Sequence, residues 1–327
     1  MHKTLIALAA LTAASPALPQ ASAAIASGKA EPSPLAPSEI VAQAPKADWT
    51  GIAQSDLLVM DLAPDAKGKP RRVVIQLMPA PFGQGWIGNI RKLAAARFWD
   101  GTAINRVQDN YVVQWGDPDA EDKTKAKALP AGLAVMPESE YENVVFPGNR
   151  EVVTTKVENS LKDNYAERTA FESGWPLGYG TIISDGAFHN WPVHCYGMVG
   201  VGRDLSPNTG SGAELYVVIG HAPRHLDRNI ALVGRVIEGI EHLSSLPRGH
   251  GALGFYDLAQ GDERTGIVSI RLGGEVKDLP AYEYLSTESG SFAKYADARA
   301  NRRDAFFIRP AGGADVCNIP VPVRRVK

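Results

Sequence analysis

Short β-rich runs, each closed by a turn signal, recur along most of this chain, and a single long segment breaks the pattern with helical spacing. Leu57-Leu58-Val59-Met60-Asp61-Leu62 and Arg72-Val73-Val74-Ile75-Gln76-Leu77 flank the turn Pro64-Asp65-Ala66-Lys67-Gly68 and predict a hairpin. Further strands are expected at 102–107 and 110–115 around a Gln108-Asp109-Asn110 turn, at 193–201, 213–219 and 229–236, and at 266–272. The exception spans residues 82–97, where Trp86, Ile87, Ile90, Leu93 and Ala94 share one helical face and Arg91, Lys92 and Arg97 take the other. A second, short helix is expected at 238–246. Many short strands with two helices give a mostly β fold, a closed antiparallel β-barrel capped by the two helices.

Three stretches lie outside that pattern. Residues 118–194 are loosely patterned, with a charged loop from Asp119 to Lys127, a short helical turn at 165–171 and a Gly174–Gly180 run that no regular helix tolerates. They are expected to form a long irregular insertion in a barrel domain of residues 51–275. Residues 276–327 read as a polar, weakly helical C-terminal extension, and residues 24–50, rich in Ala, Pro and Ser, as a flexible leader. Ahead of that leader, His2 and Lys3 precede an apolar run from Leu5 to Ala14, and the segment ends in Ala21-Ser22-Ala23. A charged start, a short apolar core and small residues at its end make a secretory signal peptide over residues 1–23, cleaved after Ala23. The expected product is a soluble periplasmic or secreted protein, because no stretch reaches the roughly 20 apolar residues of a membrane helix.

Charge narrows the partners. Lys and Arg total 34 against 36 for Asp and Glu, a net of −2. That balance argues against a nucleic-acid-binding surface, which needs a basic excess. Cys195 and Cys317 are the only cysteines. In an oxidising compartment they are free to bond, and two buried unpaired thiols fit the sequence equally well. His221 and His225 are four apart, but a strand-to-loop context gives them no shared helical face and no third ligand, so no metal is expected. Gly197, Gly200 and Gly202 are in the wrong order for a dinucleotide loop, and Ser206 and Ser211 lack a nucleophile elbow.

The stretch most informative about chemistry is Phe98-Trp99-Asp100-Gly101, followed by Asn105-Arg106-Val107, then Tyr111-Val112-Val113-Gln114 and Gly116-Asp117-Pro118. A second block follows in order: Pro207-Asn208-Thr209, then Glu214-Leu215-Tyr216-Val217-Val218-Ile219, His225-Leu226-Asp227 and Leu232-Val233-Gly234. Together they resemble the cyclophilin family of peptidyl-prolyl cis/trans isomerases, over roughly residues 55–117 and 195–272. The resemblance implies a cofactor-free isomerase acting on X-Pro bonds of polypeptides, here exported ones, with Arg106 and Gln114 in catalysis. It implies that Tyr111, Val112, Tyr216 and Leu226 line the proline-ring pocket. It places Glu214 where the family usually has Gln, His225 where an aromatic residue or His is found, and Ile230 where His is common. Val199, Gly200 and Val201 replace the segment that grips the peptide backbone, and Gly200 brings no side chain to that grip. These departures leave a second reading open, a catalytically weak barrel that binds proline-containing segments as a chaperone. The sequence leaves the oligomeric state open.

Overall fold

The computed structural model describes residues 34–145, 161–181 and 187–326. The expected signal peptide lies outside the described residues. In chain order the regular elements are α1 (Pro37–Gln43), β1 (Trp49–Ile52), β2 (Leu57–Leu62), β3 (Arg71–Leu77), α2 (Gln84–Ala95), β4 (Ala103–Val107) and β5 (Val112–Gly116). There follow β6 (Asn143–Val145), β7 (Arg168–Glu172), β8 (Trp175–Thr181), β9 (Phe188–Pro192), β10 (Met198–Val201) and β11 (Leu215–Val218). The chain ends with β12 (Leu232–Glu238), α3 (Glu241–Ser244), β13 (Ile267–Leu272), β14 (Tyr282–Leu285), α4 (Gly290–Ala300) and β15 (Val323–Arg325).

Eight strands form one antiparallel sheet in the order β13-β2-β3-β12-β10-β11-β5-β4. Its two edges meet through Gly101 N to Ile267 O (3.0 Å), Ile104 N to Thr265 O (2.9 Å) and Ile267 N to Thr102 O (2.8 Å), which closes the barrel. Closure leaves no unpaired edge to recruit another chain. The β2–β3 hairpin shows why those strands are almost continuously apolar. Leu58, Met60, Val73, Ile75 and Leu77 point into the barrel core, while Leu57, Val59 and Val74 pack outward against Leu279 and Tyr282 of the C-terminal segment. A strand buried on both faces has no polar side to alternate with. Helix α2 lays Trp86, Ile87, Ile90, Leu93 and Ala94 on the core, the face its spacing predicts.

The segments that read as loose are folded. From Pro37 the supposed leader is ordered: α1 packs on α4, and β1 pairs with β14 in a three-stranded sheet, β1-β14-β15. The leader reading of residues 24–50 is corrected for its later part, because Trp49 is buried beneath the Arg324 guanidinium at 3.5 Å. The described part of the insertion carries a second sheet, β6-β9-β8-β7. The helical turn expected at 165–171 is instead the start of β7, where Thr169, Ala170 and Phe171 are buried and Phe171 meets Phe292 of α4 edge-on at 5.0 Å. Long-range packing overrides local propensity there. Barrel and insertion are joined through the buried Arg235 of β12, whose guanidinium lies 4.4 Å over Trp175 and donates to Gly174 O and Gln76 Oε1. Burial drags its pKa down to about 10. Cys195 and Cys317 are disulfide-bonded with Cα atoms 5.0 Å apart, tying the barrel to the C-terminal extension across 122 residues of sequence.

Candidate active site

The β4–β5 hairpin sets the site. Its turn residue Asn110 sits at φ 52°, and Arg106 and Gln114 fall opposite each other in register, past a bulge between Ile104 and Arg106. Cross-strand partners project to the same face. Arg106 Nη1 donates to Gln114 Oε1 at 3.1 Å, Nη2 donates to Gln108 Oε1, and Nε donates to Leu253 O at 2.7 Å. Three of the five N–H groups of a guanidinium are thereby engaged, leaving one on each Nη for a ligand. The rings of Tyr111 and Phe255 lie 5.5 and 5.3 Å from its Cζ. Burial lowers the Arg106 pKa, opposed by Tyr111 and Glu214, and an arginine so lowered is still a cation at neutral pH.

The guanidinium opens on a cleft of about 710 Å³. Its lining includes the apolar side chains of Tyr111, Val112, Tyr216, Leu226 and Ile230 and the polar ones of Gln114, Glu121, Ser211 and Glu214. Burial raises the Glu214 pKa, the Gln114 side chain lowers it, and Glu121 raises it further. A concave pocket that joins apolar side chains to convergent polar groups is a usual form of a small-ligand site.

Eight of the residues singled out from sequence therefore face one cleft: Arg106, Tyr111, Val112, Gln114, Glu214, Tyr216, Leu226 and Ile230. His225 sits at the rim, exposed and stacked on Tyr111 with ring centroids 6.4 Å apart. Val199 and Val201 turn their side chains into the barrel core rather than into the cleft. Gly200 is covered: a Cβ there would stand 2.3 Å from both Cζ and Oη of Tyr216. The tyrosine ring opposite takes up the space beside Gly200, which itself brings no side chain to the cleft.

Sequence reasoning missed the loop that clamps the arginine. Leu253 and Phe255 come from a glycine-rich segment with no periodicity, brought to β4 by Gly249 N to Val107 O and Tyr256 N to Asn105 O bonds of 3.1 and 2.9 Å. It also missed His194, fully buried behind Tyr216, whose Nε2 is 2.9 Å from the Tyr216 hydroxyl and whose Nδ1 is 2.9 Å from Asp227 Oδ1. A neighbouring cysteine and no helical spacing gave that histidine no signal. Among the described residues no group of three or more His, Cys, Asp or Glu is placed to hold a metal ion, and no helix is long and apolar enough to cross a membrane.

The fold is thus a closed eight-stranded antiparallel barrel that sets an Arg–Gln pair beside a pocket with apolar lining. Residues 85–253 match the family described as cyclophilin type peptidyl-prolyl cis-trans isomerase/CLD, and the chain belongs to that family of peptidyl-prolyl isomerases. The fold is similar to that of cyclophilin AquaCyp293 from Hirschia baltica, with 21% identity, 85% of this chain and 94% of that one covered, and a TM-score of 0.64. A Cryptosporidium parvum cyclophilin type peptidyl-prolyl cis-trans isomerase, crystallised with the dipeptide Ala-Pro, is 12% identical over 65% of this chain and 98% of its own, with a TM-score of 0.38. No curated protein matches the chain.

Proposed function

We propose that this isomerase works on X-Pro bonds of exported polypeptides, with Arg106 as its catalytic side chain. Rotation about the prolyl amide breaks its resonance against a barrier of ~18–20 kcal/mol. No bond is made or cut, so neither nucleophile nor cofactor is needed. As the bond twists, the proline nitrogen turns pyramidal and exposes a lone pair. A donor aimed at that lone pair binds the twisted state better than the planar one, which is the requirement for catalysis. The observation that carries the reading is the half-buried Arg106 guanidinium, held by three hydrogen bonds with one N–H left on each Nη, beside the pocket of Val112, Tyr216, Leu226 and Ile230. That pocket suits a proline ring. Gln114 steadies the guanidinium, with Tyr111 as part of the same wall, and His225 and Glu214 border the peptide path.

A charge-assisted hydrogen bond of ~1.5–3 kcal/mol supplies one to two orders of magnitude in rate. In a protease-coupled assay with a proline tetrapeptide, Arg106→Ala is therefore expected to lose roughly 10- to 100-fold in kcat/KM. Equal rates for the two proteins would remove the arginine from the mechanism. Export is supported by the pattern of residues 1–23 and by the Cys195–Cys317 bond, which suits an oxidising compartment. N-terminal sequencing of the protein from the cell envelope is expected to begin at Ala24; full-length protein in the cytosol would overturn that part.

A further inference from the structure

Behind the apolar wall of the cleft runs a chain of buried polar groups that the isomerase chemistry does not call for. Tyr216 of β11 pairs with Gly200 of β10, and the tip of its ring occupies the space where a Cβ on the glycine would stand. The hydroxyl at the tip reaches His194 Nε2 at 2.9 Å, with the two rings within 9° of parallel. His194 Nδ1 and its backbone N–H both meet Asp227 Oδ1 at 2.9 Å. Asp227 Oδ2 accepts from Arg224 Nε at 2.6 Å. Arg224 reaches out of the barrel to Asp163 Oδ2 at 2.5 Å and to Asp315 Oδ2 at 3.7 Å, one from the insertion and one from the C-terminal extension.

The direction of every proton in this chain is fixed. Asp227 accepts the His194 backbone N–H on Oδ1 and the Arg224 Nε–H on Oδ2, so both its oxygens act as acceptors toward this chain. Nδ1 of His194 must then carry hydrogen. Burial keeps the ring neutral, so Nε2 holds a lone pair and the Tyr216 hydroxyl donates to it. A tyrosine hydroxyl otherwise rotates freely between two in-plane settings; here it has one, and the ring that bears it cannot swing off Gly200 without breaking the bond. A buried His–Asp pair inside a core would be a matter of stability alone. This one ends on a residue that lines the cleft.

We propose that His194 and Asp227 are positioning residues of the isomerase site, holding the Tyr216 ring across Gly200 as the floor on which the substrate rests. The proposal rests on the reading of this cleft as the isomerase site. The two are separated by running Arg106→Ala in the same assay: a fully active Arg106→Ala discards the cleft, whatever the outcome below.

The test is a double-mutant cycle in kcat/KM on Tyr216→Phe, His194→Leu and their combination, with His194→Gln as the conservative variant. Each single substitution is expected to lower kcat/KM roughly 3- to 10-fold, carried by KM. The double is expected to lose no more than the worse single, because the histidine acts only through the hydroxyl. His194→Gln, which can still accept from the tyrosine, is expected to recover most of the loss. Independent, multiplicative losses, or no loss at either position, overturn the proposal. Should His194→Leu fail to fold, ¹⁵N spectra of the unaltered protein decide. They are expected to place the proton on Nδ1 and to show the Nε2 resonance moving when the proline tetrapeptide binds. A proton on Nε2, or an Nε2 signal indifferent to the peptide, overturns it equally.

Discussion

Gly200→Ala is the smallest change that tests how tightly the cleft floor is built. Gly200 is not at positive φ, so the backbone accepts alanine, and lower unfolded-state entropy alone would stabilise the variant by ~0.4–1 kcal/mol. The added methyl, however, would stand 2.3 Å from Tyr216 Cζ and Oη, where ordinary contact begins at 3.4 Å. The ring must retreat by about 1 Å, and it has no room to do so while its hydroxyl is bonded to His194. Overpacking costs ~1–3 kcal/mol, and stranding a buried hydrogen-bonding group costs another ~1–3 kcal/mol. Against the backbone gain, the net is a destabilisation of about 1–5.5 kcal/mol. For a domain of this size that lowers Tm by roughly 2–9 °C. Thermal melting followed by circular dichroism reads it directly. A second variant makes the cause explicit: with Tyr216→Leu also present, the methyl has vacated space to occupy, and the double is expected to cost less than the two singles combined. A Gly200→Ala protein that melts within about a degree of wild type would refute the reasoning, because the ring could not then be pinned where the glycine requires it.

Three further outcomes follow from the site and its surroundings. Replacing Phe255 by Leu removes one of the two rings beside Arg106 and is expected to reduce kcat/KM about 2- to 5-fold in the coupled assay, the equivalent of ~0.5–1 kcal/mol of cation–π contact. Opening the Cys195–Cys317 loop by Cys195→Ser with Cys317→Ser is expected to lower stability by up to about 5 kcal/mol, the chain-entropy value for a loop of this length, read as a lower urea midpoint. Glu214 has its folded pKa raised, chiefly by burial, so the folded state holds its proton more tightly than the unfolded one. Its penalty is absent below the ordinary carboxyl range and fully present above the raised value, so Glu214→Gln is expected to stabilise the protein at neutral pH and not in acid, checked by denaturation at both.

The barrel was legible because its signals are local. The β2–β3 hairpin announces itself in two apolar runs and one turn, and α2 in the spacing of Trp86, Ile87, Ile90, Leu93 and Ala94. The Arg106–Gln114 pair was legible for a different reason, the resemblance of residues 98–118 to a known family, and the hairpin sets the two in register. What escaped depends on partners far along the chain. Trp49–Ile52 is a poor strand by itself and becomes one because Tyr282–Leu285 offers it a ladder. Residues 168–172 carry no strand alternation, and their pairing with 175–179 is enforced by burial under α4. The Tyr216–His194–Asp227–Arg224 chain is the extreme case. Polar residues inside a protein leave no periodicity, and nothing in a list of residues tells a buried histidine from a solvated one. Gly200 shows the same limit in miniature. It looks like a missing side chain until the ring lying on it is seen.

The sheet β1-β14-β15 has a consequence for how the protein comes into being. A chain made from its N-terminus presents Trp49–Ile52 early, yet the strand it pairs with, Tyr282–Leu285, arrives only after the barrel sequence is complete. Barrel closure waits as well, since β13 is needed to cover β2 and meet β4. The strand Val323–Arg325, later still in the chain, brings Arg324 onto Glu283 and Trp49. Such distant pairings carry a high loop-closure cost and make for slow assembly. During synthesis, then, the emerging chain can gather hairpins and a helix but not the finished fold.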